Sequence, residues 1–310
     1  MTMREFVDEH YRHFNAGELA KTARSLVEFV NSGGSLMVTL AGAMSTAEIG
    51  RSLAPAIRNG MVQGITCTGA NLEEDLFNLV AYSHYAEIDD WRSLSAEQET
   101  QLENRITNRT LPEVEAVRKI ESLLTSIWSK GSDRLPHEYL YELLLSDSLE
   151  HDADPDDSWL LAAADANLPL FVPGWEDSTL GNIFAARVIE DEISADAVLS
   201  GTHYMTRLAD WYRQSCDAAG AGLLQVGGGI AGDFPICVVP MLRKDLNEEV
   251  PLWSWFAQIS ESRPSYGGYS GAPPNEKITW DKLGVDTPRF VIESDATIVL
   301  PLLLNYLLNK

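Results

Sequence analysis

A chain of 310 residues with 46 acidic and 23 basic side chains carries a formal net charge of −23. Such a surface repels nucleic acid and anionic lipid and favours small cations as partners. With 45% hydrophobic and 22% charged residues, the composition is that of a globular protein, long enough for one large α/β domain or two smaller ones.

The N-terminal stretch MTMREFVDEHYRHF has no apolar core of the kind a signal peptide needs. A helix is expected over Gly17–Val30, with Gly33 and Gly34 as its C-cap residues, then a strand over Ser35–Leu40. A helix over Thr46–Ile57, a strand over Val62–Cys67 and a helix over Leu72–Tyr82 follow. Residues Ala96–Lys130 and His137–Leu145 read as a helical insertion, about 96–150, within a single domain. The acidic, Pro-containing stretch Ser146–Trp159 reads as an exposed loop between two halves. Strands are then expected at Leu168–Val172, Gly222–Val226, Leu252–Ala257 and Arg289–Ile292. Helices are expected at Ser178–Glu190, Thr202–Ala218 and from about Ala296. Several strands are continuous apolar runs, as when helices cover both faces of a sheet. The alternation predicts an α/β fold with a doubly wound, mostly parallel sheet and ligands at the carboxyl ends of its strands. The last apolar stretch, Ala296–Leu308, is broken by Pro301 and too short to span a bilayer. Cys67, Cys216 and Cys237 suggest neither a disulfide framework nor a zinc site. A soluble, cytoplasmic protein without bound metal is expected.

Five loops could carry chemistry. Gly227-Gly228-Gly229-Ile230-Ala231-Gly232-Asp233 follows a strand and matches G-x-G-x-x-G. Its glycines would let a pyrophosphate approach the backbone, and Asp233-Phe234-Pro235 reads as the start of the next helix. A tight helix–strand turn is an equal reading. In Thr66–Asp75, Asn71 could cap a helix with Glu73, Glu74 and Asp75 in its first turn, or Glu74 could face a cationic substrate. Asp177 or Ser178 reads as a helix cap, and Asp295 as a cap or a ribose-binding acid. The segment Ser265–Lys282 is rich in Gly, Tyr and Pro and too long for a simple turn. Within it, Trp280 could give Lys282 the apolar wall that prepares an amine as a nucleophile.

In order and spacing these loops resemble those of deoxyhypusine synthases. The family's T-T-A-G-G-x-E-E-D is similar to Thr66–Asp75, its P-A-L-T-D-G-S-L-G-D to Pro173–Asn182, and its G-G-G to Gly227–Gly229. Its G-A-x-P-x-E-A-x-S-W-G-K is similar to Gly271–Lys282, and its A-D-A-[ST] to Ser294–Thr297. The resemblance covers about four-fifths of the chain. It implies a Rossmann-like NAD-binding core and a homotetramer with active sites shared between subunits. It makes Lys282 the nucleophile and Trp280, Glu276 and Glu74 lining residues of the amine pocket. It assigns NAD contacts to Thr46, Thr68, Gly69, Ala70, Asp177, Gly227, Gly228 and Asp295. The implied reaction oxidises a secondary amine of spermidine, releases 1,3-diaminopropane and passes the aminobutyl group through an imine on the lysine to an acceptor amine.

Three motifs depart from the family, at five residues. Its K-H-H after the triple glycine is Gly232, Asp233 and Phe234 here. One pocket aspartate is Tyr269, and the aspartate ending L-G-D is Asn182. These changes point to a drifted substrate. Three readings stay open: transfer to a small amine, as in homospermidine formation; modification of a protein lysine; and a silent protein that binds NAD or a polyamine.

Overall fold

The computed structural model describes residues 1–216, 219–264 and 267–309 and, of Tyr269, the backbone alone. Six parallel strands form one sheet: β1 (Ser35–Leu40), β2 (Gly64–Cys67), β3 (Leu170–Phe171), β4 (Ala221–Val226), β5 (Trp255–Ile259) and β6 (Arg289–Ile292). Their spatial order is β3-β2-β1-β4-β5-β6. The expected α/β, doubly wound architecture is present. The chain's winding reverses between β1 and β4, and that reversal opens a crevice outside the carboxyl ends of those two strands.

Each face of the sheet is covered, which is why β1 and β4 are almost wholly buried. On one face the Phe14–Asn31 helix stacks Phe29 on Trp255 at 5.9 Å. Gly34 and Gly222 make room for that ring, since an added Cβ would lie 2.4 and 2.5 Å from it. On the other face the Gly229–Ile236 helix brings Gly232 against the Gln225 side chain, where a Cβ would approach to 2.7 Å. Register puts Thr39, Gln225 and Gln258 in one row across β1, β4 and β5 on this second face. Each has a buried oxygen without a hydrogen-bond partner among the described residues. A polar seam therefore runs beneath the Gly229–Ile236 helix, the kind of place where ordered water satisfies buried groups.

Several expected elements shift, each for a local reason. The fifth strand runs over Trp255–Ile259 rather than Leu252–Ala257, because Trp253 pairs instead with Leu283 in an isolated bridge. The helix expected over Thr46–Ile57 is a 3-10 turn, Met44–Ala47, and a helix, Gly50–Arg58, separated by left-handed Glu48 at φ 54°. The insertion is not helical throughout. After one short helix, Ala96–Glu99, its Arg105–Ile106 and Arg109–Thr110 strands form a hairpin that pairs with Ala86–Glu87, and helix resumes at Glu113. Positive φ at Asn104 and Thr107 supplies the hairpin's bends. Ile120, Leu124, Trp128 and Leu140 of the insertion join the same apolar core as the sheet.

The acidic stretch is mostly exposed, as expected, but it is tied to the body of the fold. Arg58 donates to the Pro155 and Asp156 carbonyls at 2.9 and 2.5 Å, and Arg51 pairs with Asp157 at 2.9 Å. Ser158 then caps a buried helix, Trp159–Asp165, which the sequence reading did not anticipate. Among the described residues no helix is long and apolar enough to cross a membrane.

Candidate active site

The crevice at the reversal point is a cleft of about 600 Å³ whose lining includes Gly42, Gly227, Gly228, Ser260, Ser262 and Asp295. The chain turns there through left-handed Gly227 (φ 77°) and Gly229 (φ 60°), which only glycine adopts freely. Gly228 is glycine for another reason: a Cβ would come within 1.8 Å of Ser270 Oγ. Ser270 Oγ accepts from the Gly229 N–H at 2.9 Å, and its carbonyl accepts from Gln258 Nε2. This serine, overlooked in the sequence, ties the glycine turn to the segment that ends at Lys282. Replacing Gly228 with valine is expected to break that junction and destabilise the fold by about 1–3 kcal/mol through overpacking. Thermal unfolding and cofactor titration would read the two effects separately.

The helix after the turn starts at Gly229, with Gly228 as its N-cap, so Asp233 is not a capping residue and Pro235 lies inside the helix. The glycine turn itself supplies the helix start. Asp233 is released from that role and projects a half-buried carboxylate whose pKa burial raises to about 6.

Around the cleft the expected cofactor contacts divide. Gly227, Gly228 and Asp295 line it together. Asp295 also caps the Ala296–Leu308 helix, accepting from the Thr297 N–H at 2.7 Å and its hydroxyl at 2.8 Å, as one of its two readings expected. Thr68 caps the Gly69–Ala81 helix and donates its hydroxyl to the Gly42 carbonyl at 2.6 Å. Asn71 is therefore not the cap. Its amide instead binds the Leu40, Ala41 and Gly42 carbonyls and clamps the end of β1. Gly69 packs against Ser178, leaving 2.6 Å for a Cβ, and half-buried Ala70 follows it. Ser178, not Asp177, caps the Thr179–Ile189 helix. Asp177 is exposed, and Asn182 donates to the Glu176 and Ser178 carbonyls. None of these last four side chains lines the cleft.

The three acids of Glu73-Glu74-Asp75 lie beyond the first turn of their helix, and the fold gives them different work. Glu73 accepts the Thr179 and Leu180 N–H groups at 2.9 and 2.7 Å, fixing the start of the Thr179–Ile189 helix. Asp75 accepts from the Ser158 hydroxyl at 2.5 Å and the Leu160 N–H at 3.1 Å, doing the same for the Trp159–Asp165 helix. Glu74 caps nothing. It is 5% exposed, and its Oε2 has no hydrogen-bond partner among the described residues. Burial first, and the neighbouring Glu73 charge second, raise its pKa to about 7, while Thr46 and Arg109 pull it down. Arg109, from the hairpin, pairs with Glu48 at 2.6 Å and lies 4.5 Å from the Tyr85 ring centre. The sequence reading missed Arg109 and Tyr85, because only the fold brings the hairpin to this helix.

Lys282 belongs to a separate cluster. It is 3% exposed yet lines a cleft of about 540 Å³ with Glu276, Trp280, Met205, Met241 and Asp245. Its Nζ lies 5.9 Å from the Trp280 ring centre, and that ring is 57% exposed, so one indole face stays open to the cleft. Asp281 holds φ 54°, a left-handed position where the family carries glycine, and pairs with Lys244 at 3.1 Å. The same segment holds a second buried lysine, which the sequence did not flag. Lys277 is 1% exposed, with Nζ 5.2 Å from the Phe256 ring centre. The lysines are the charged groups that most offset the burial of Asp233. Tyr269 sits in the turn Tyr269–Gly271, and its side chain lies outside the description, as do Ser265 and Tyr266. The Glu74 and Lys282 clusters share no residue.

The model of the family described as deoxyhypusine synthase matches residues 7–307. A "Deoxyhypusine synthase-like protein" of Nostoc punctiforme is 29% identical, the match covering 99% of this chain and 80% of that protein. A "Probable deoxyhypusine synthase 1" of Archaeoglobus fulgidus is 28% identical, with 96% and 90% covered. Among solved structures, an Entamoeba histolytica protein carrying the deoxyhypusine synthase name superposes with a TM-score of 0.56 at 12% identity, covering 99% of this chain and 92% of that one. At that identity the likeness speaks for the fold alone.

Proposed function

The chain belongs to the deoxyhypusine synthase family, and from that premise we propose that it is an NAD-dependent transferase carrying an aminobutyl group from a spermidine-like polyamine, through an imine on Lys282, to a small amine. The observation that carries this reading is Lys282 itself. A buried amine opens on a cleft between an exposed indole and the carboxylates Glu276 and Asp245. Acids hold the ammonium ends of a polyamine, the indole covers its methylenes, and the desolvated amine adds to an imine carbon.

The central cleft fits a dinucleotide. Gly42 and Gly229 are both left-handed, and nothing lies within 4 Å of a Cβ at either, so backbone is open to a ligand there. Gly227 and Gly228 would cradle its phosphates at the helix start, and Asp295 would take a ribose hydroxyl. When bound, NAD supplies the oxidation of the donor's C–N bond and the later return of the hydride. Lys282 gives its nitrogen to the aminobutyl carbon as 1,3-diaminopropane leaves, and the acceptor amine then displaces Lys282. Glu276 and Asp245 hold the cationic ends while the carbon–nitrogen bonds exchange.

Glu74 and Lys282 sit in different clusters of one chain, which supports a site completed by a second copy within a homotetramer. Loss of two pocket acids at Tyr269 and Asn182 favours a small acceptor over the one the family name specifies. The reading is tested by incubating the protein with NAD and spermidine alongside putrescine or a lysine-bearing protein. Release of 1,3-diaminopropane with a new polyamine is the expected result. Label transfer to protein alone would replace the acceptor assignment. No released diamine with any polyamine would leave a binding protein.

A further inference from the structure

Every residue of β4 is buried, and Gln225 is its one polar side chain, at 0% exposure. The amide nitrogen of Gln225 donates to the Gly227 carbonyl at 3.2 Å, on the glycine turn. Its oxygen has no partner among the described residues, so an apolar side chain of the same length would cost less to bury. The bond to Gly227 is what offsets that cost.

A trans peptide is planar, with its C=O and N–H pointing in opposite directions. Gln225 lies beneath the Gly229–Ile236 helix, where a Cβ on Gly232 would meet its side chain at 2.7 Å. Drawing the Gly227 carbonyl down to that side turns the N–H of the same peptide, which belongs to Gly228, the other way. That is the side on which Gly227 and Gly228 line the central cleft. The Gly228 N–H meets no acceptor among the described residues. The next N–H along, that of Gly229, is taken by Ser270 Oγ at 2.9 Å, and Gln258 holds the Ser270 carbonyl in turn. Glycine on both sides would let the Gly227–Gly228 peptide turn over at little steric cost, and a carbonyl facing the cleft would repel an anion. Gln225 decides between the two orientations. We propose that Gln225 is a positioning residue for the cofactor: from the sheet it fixes the Gly227–Gly228 peptide so that the Gly228 N–H, and not that of Gly229, meets a phosphate oxygen. This role rests on the central cleft being a dinucleotide site.

The test is binding by the whole chain, without turnover. Affinities for NAD, ADP and adenosine are measured by calorimetry, and the gain of ADP over adenosine isolates the phosphate contact. Gln225→Met, of similar length but without a donor, is expected to weaken NAD and ADP about tenfold, the size of one hydrogen bond to a charged group. Adenosine should bind as it does to the parent. A loss shared equally by adenosine, or no loss for ADP, would overturn the proposal, because a glutamine that only fills space moves all three ligands together or none. The parent labelled with 15N-glycine supplies a measurement independent of how the variant folds. On adding ADP, the Gly228 amide resonance is expected to move well downfield while that of Gly229 stays. Movement at Gly229 alone, or ADP binding no tighter than adenosine, would overturn the proposal. A parent that binds none of the three ligands removes the dinucleotide reading and this role with it. A parent that binds NAD, with the gain of ADP over adenosine unchanged in Gln225→Met, removes this role alone.

Discussion

Lys282→Ala is expected to lower aminobutyl transfer by at least about a thousandfold, because the covalent route disappears rather than weakens. Lys282→Arg is expected to fail equally, since a guanidinium keeps the charge but has no nucleophilic amine at neutral pH. Neither change should weaken NAD binding greatly, because Lys282 does not line the central cleft. Steady-state release of 1,3-diaminopropane together with a cofactor titration checks both halves. A Lys282→Ala protein that still transfers within tenfold of the parent would remove the nucleophile assignment.

Glu74→Gln has the second-largest expected effect, about a hundredfold, with a pH signature. The Glu74 pKa is raised to about 7, so its anion is present above that pH and lost below it. Transfer by the parent is expected to fall as pH drops through 7, and the variant to lose that limb. The stability sign is the reverse: a raised carboxyl pKa means the folded chain holds the proton more tightly, so this group's contribution falls as pH rises from the unfolded value toward 7. Because the Glu74 and Lys282 clusters share no residue, mixing the two inactive variants also tests the shared site. Random exchange in a two-fold pair gives half mixed dimers with one intact site each, or about a quarter of the parent activity. No recovery, with exchange shown by mass, would confine the site to one chain.

The fold was legible in the sequence wherever apolar runs had strand length: Ser35–Leu40 and Arg289–Ile292 appear with the expected bounds. Alternation with helices was enough for the parallel order. What could not be read was the partner of each polar side chain. Glu73, Glu74 and Asp75 are indistinguishable as neighbours. Only contacts about a hundred residues away show that two of them cap helices and one does not. Asp233-Phe234-Pro235 has the composition of a helix start, yet the glycine turn had already begun the helix four residues earlier. Lys277 drew no reading of its own, and its burial is a tertiary fact. The family resemblance located Lys282, Trp280 and Glu276 in one segment, and all three line one cleft. It also named Asp177, in the exposed turn before Ser178, and Asn182, exposed on the Thr179–Ile189 helix, both apart from the two clefts.

The most direct test of the account is peptide mass spectrometry after incubation with NAD and spermidine and reduction with borohydride. An aminobutyl group on Lys282, dependent on NAD and absent from Lys277, is the expected result. An unmodified Lys282 in a protein that binds both NAD and spermidine, or an adduct on another lysine, would contradict it.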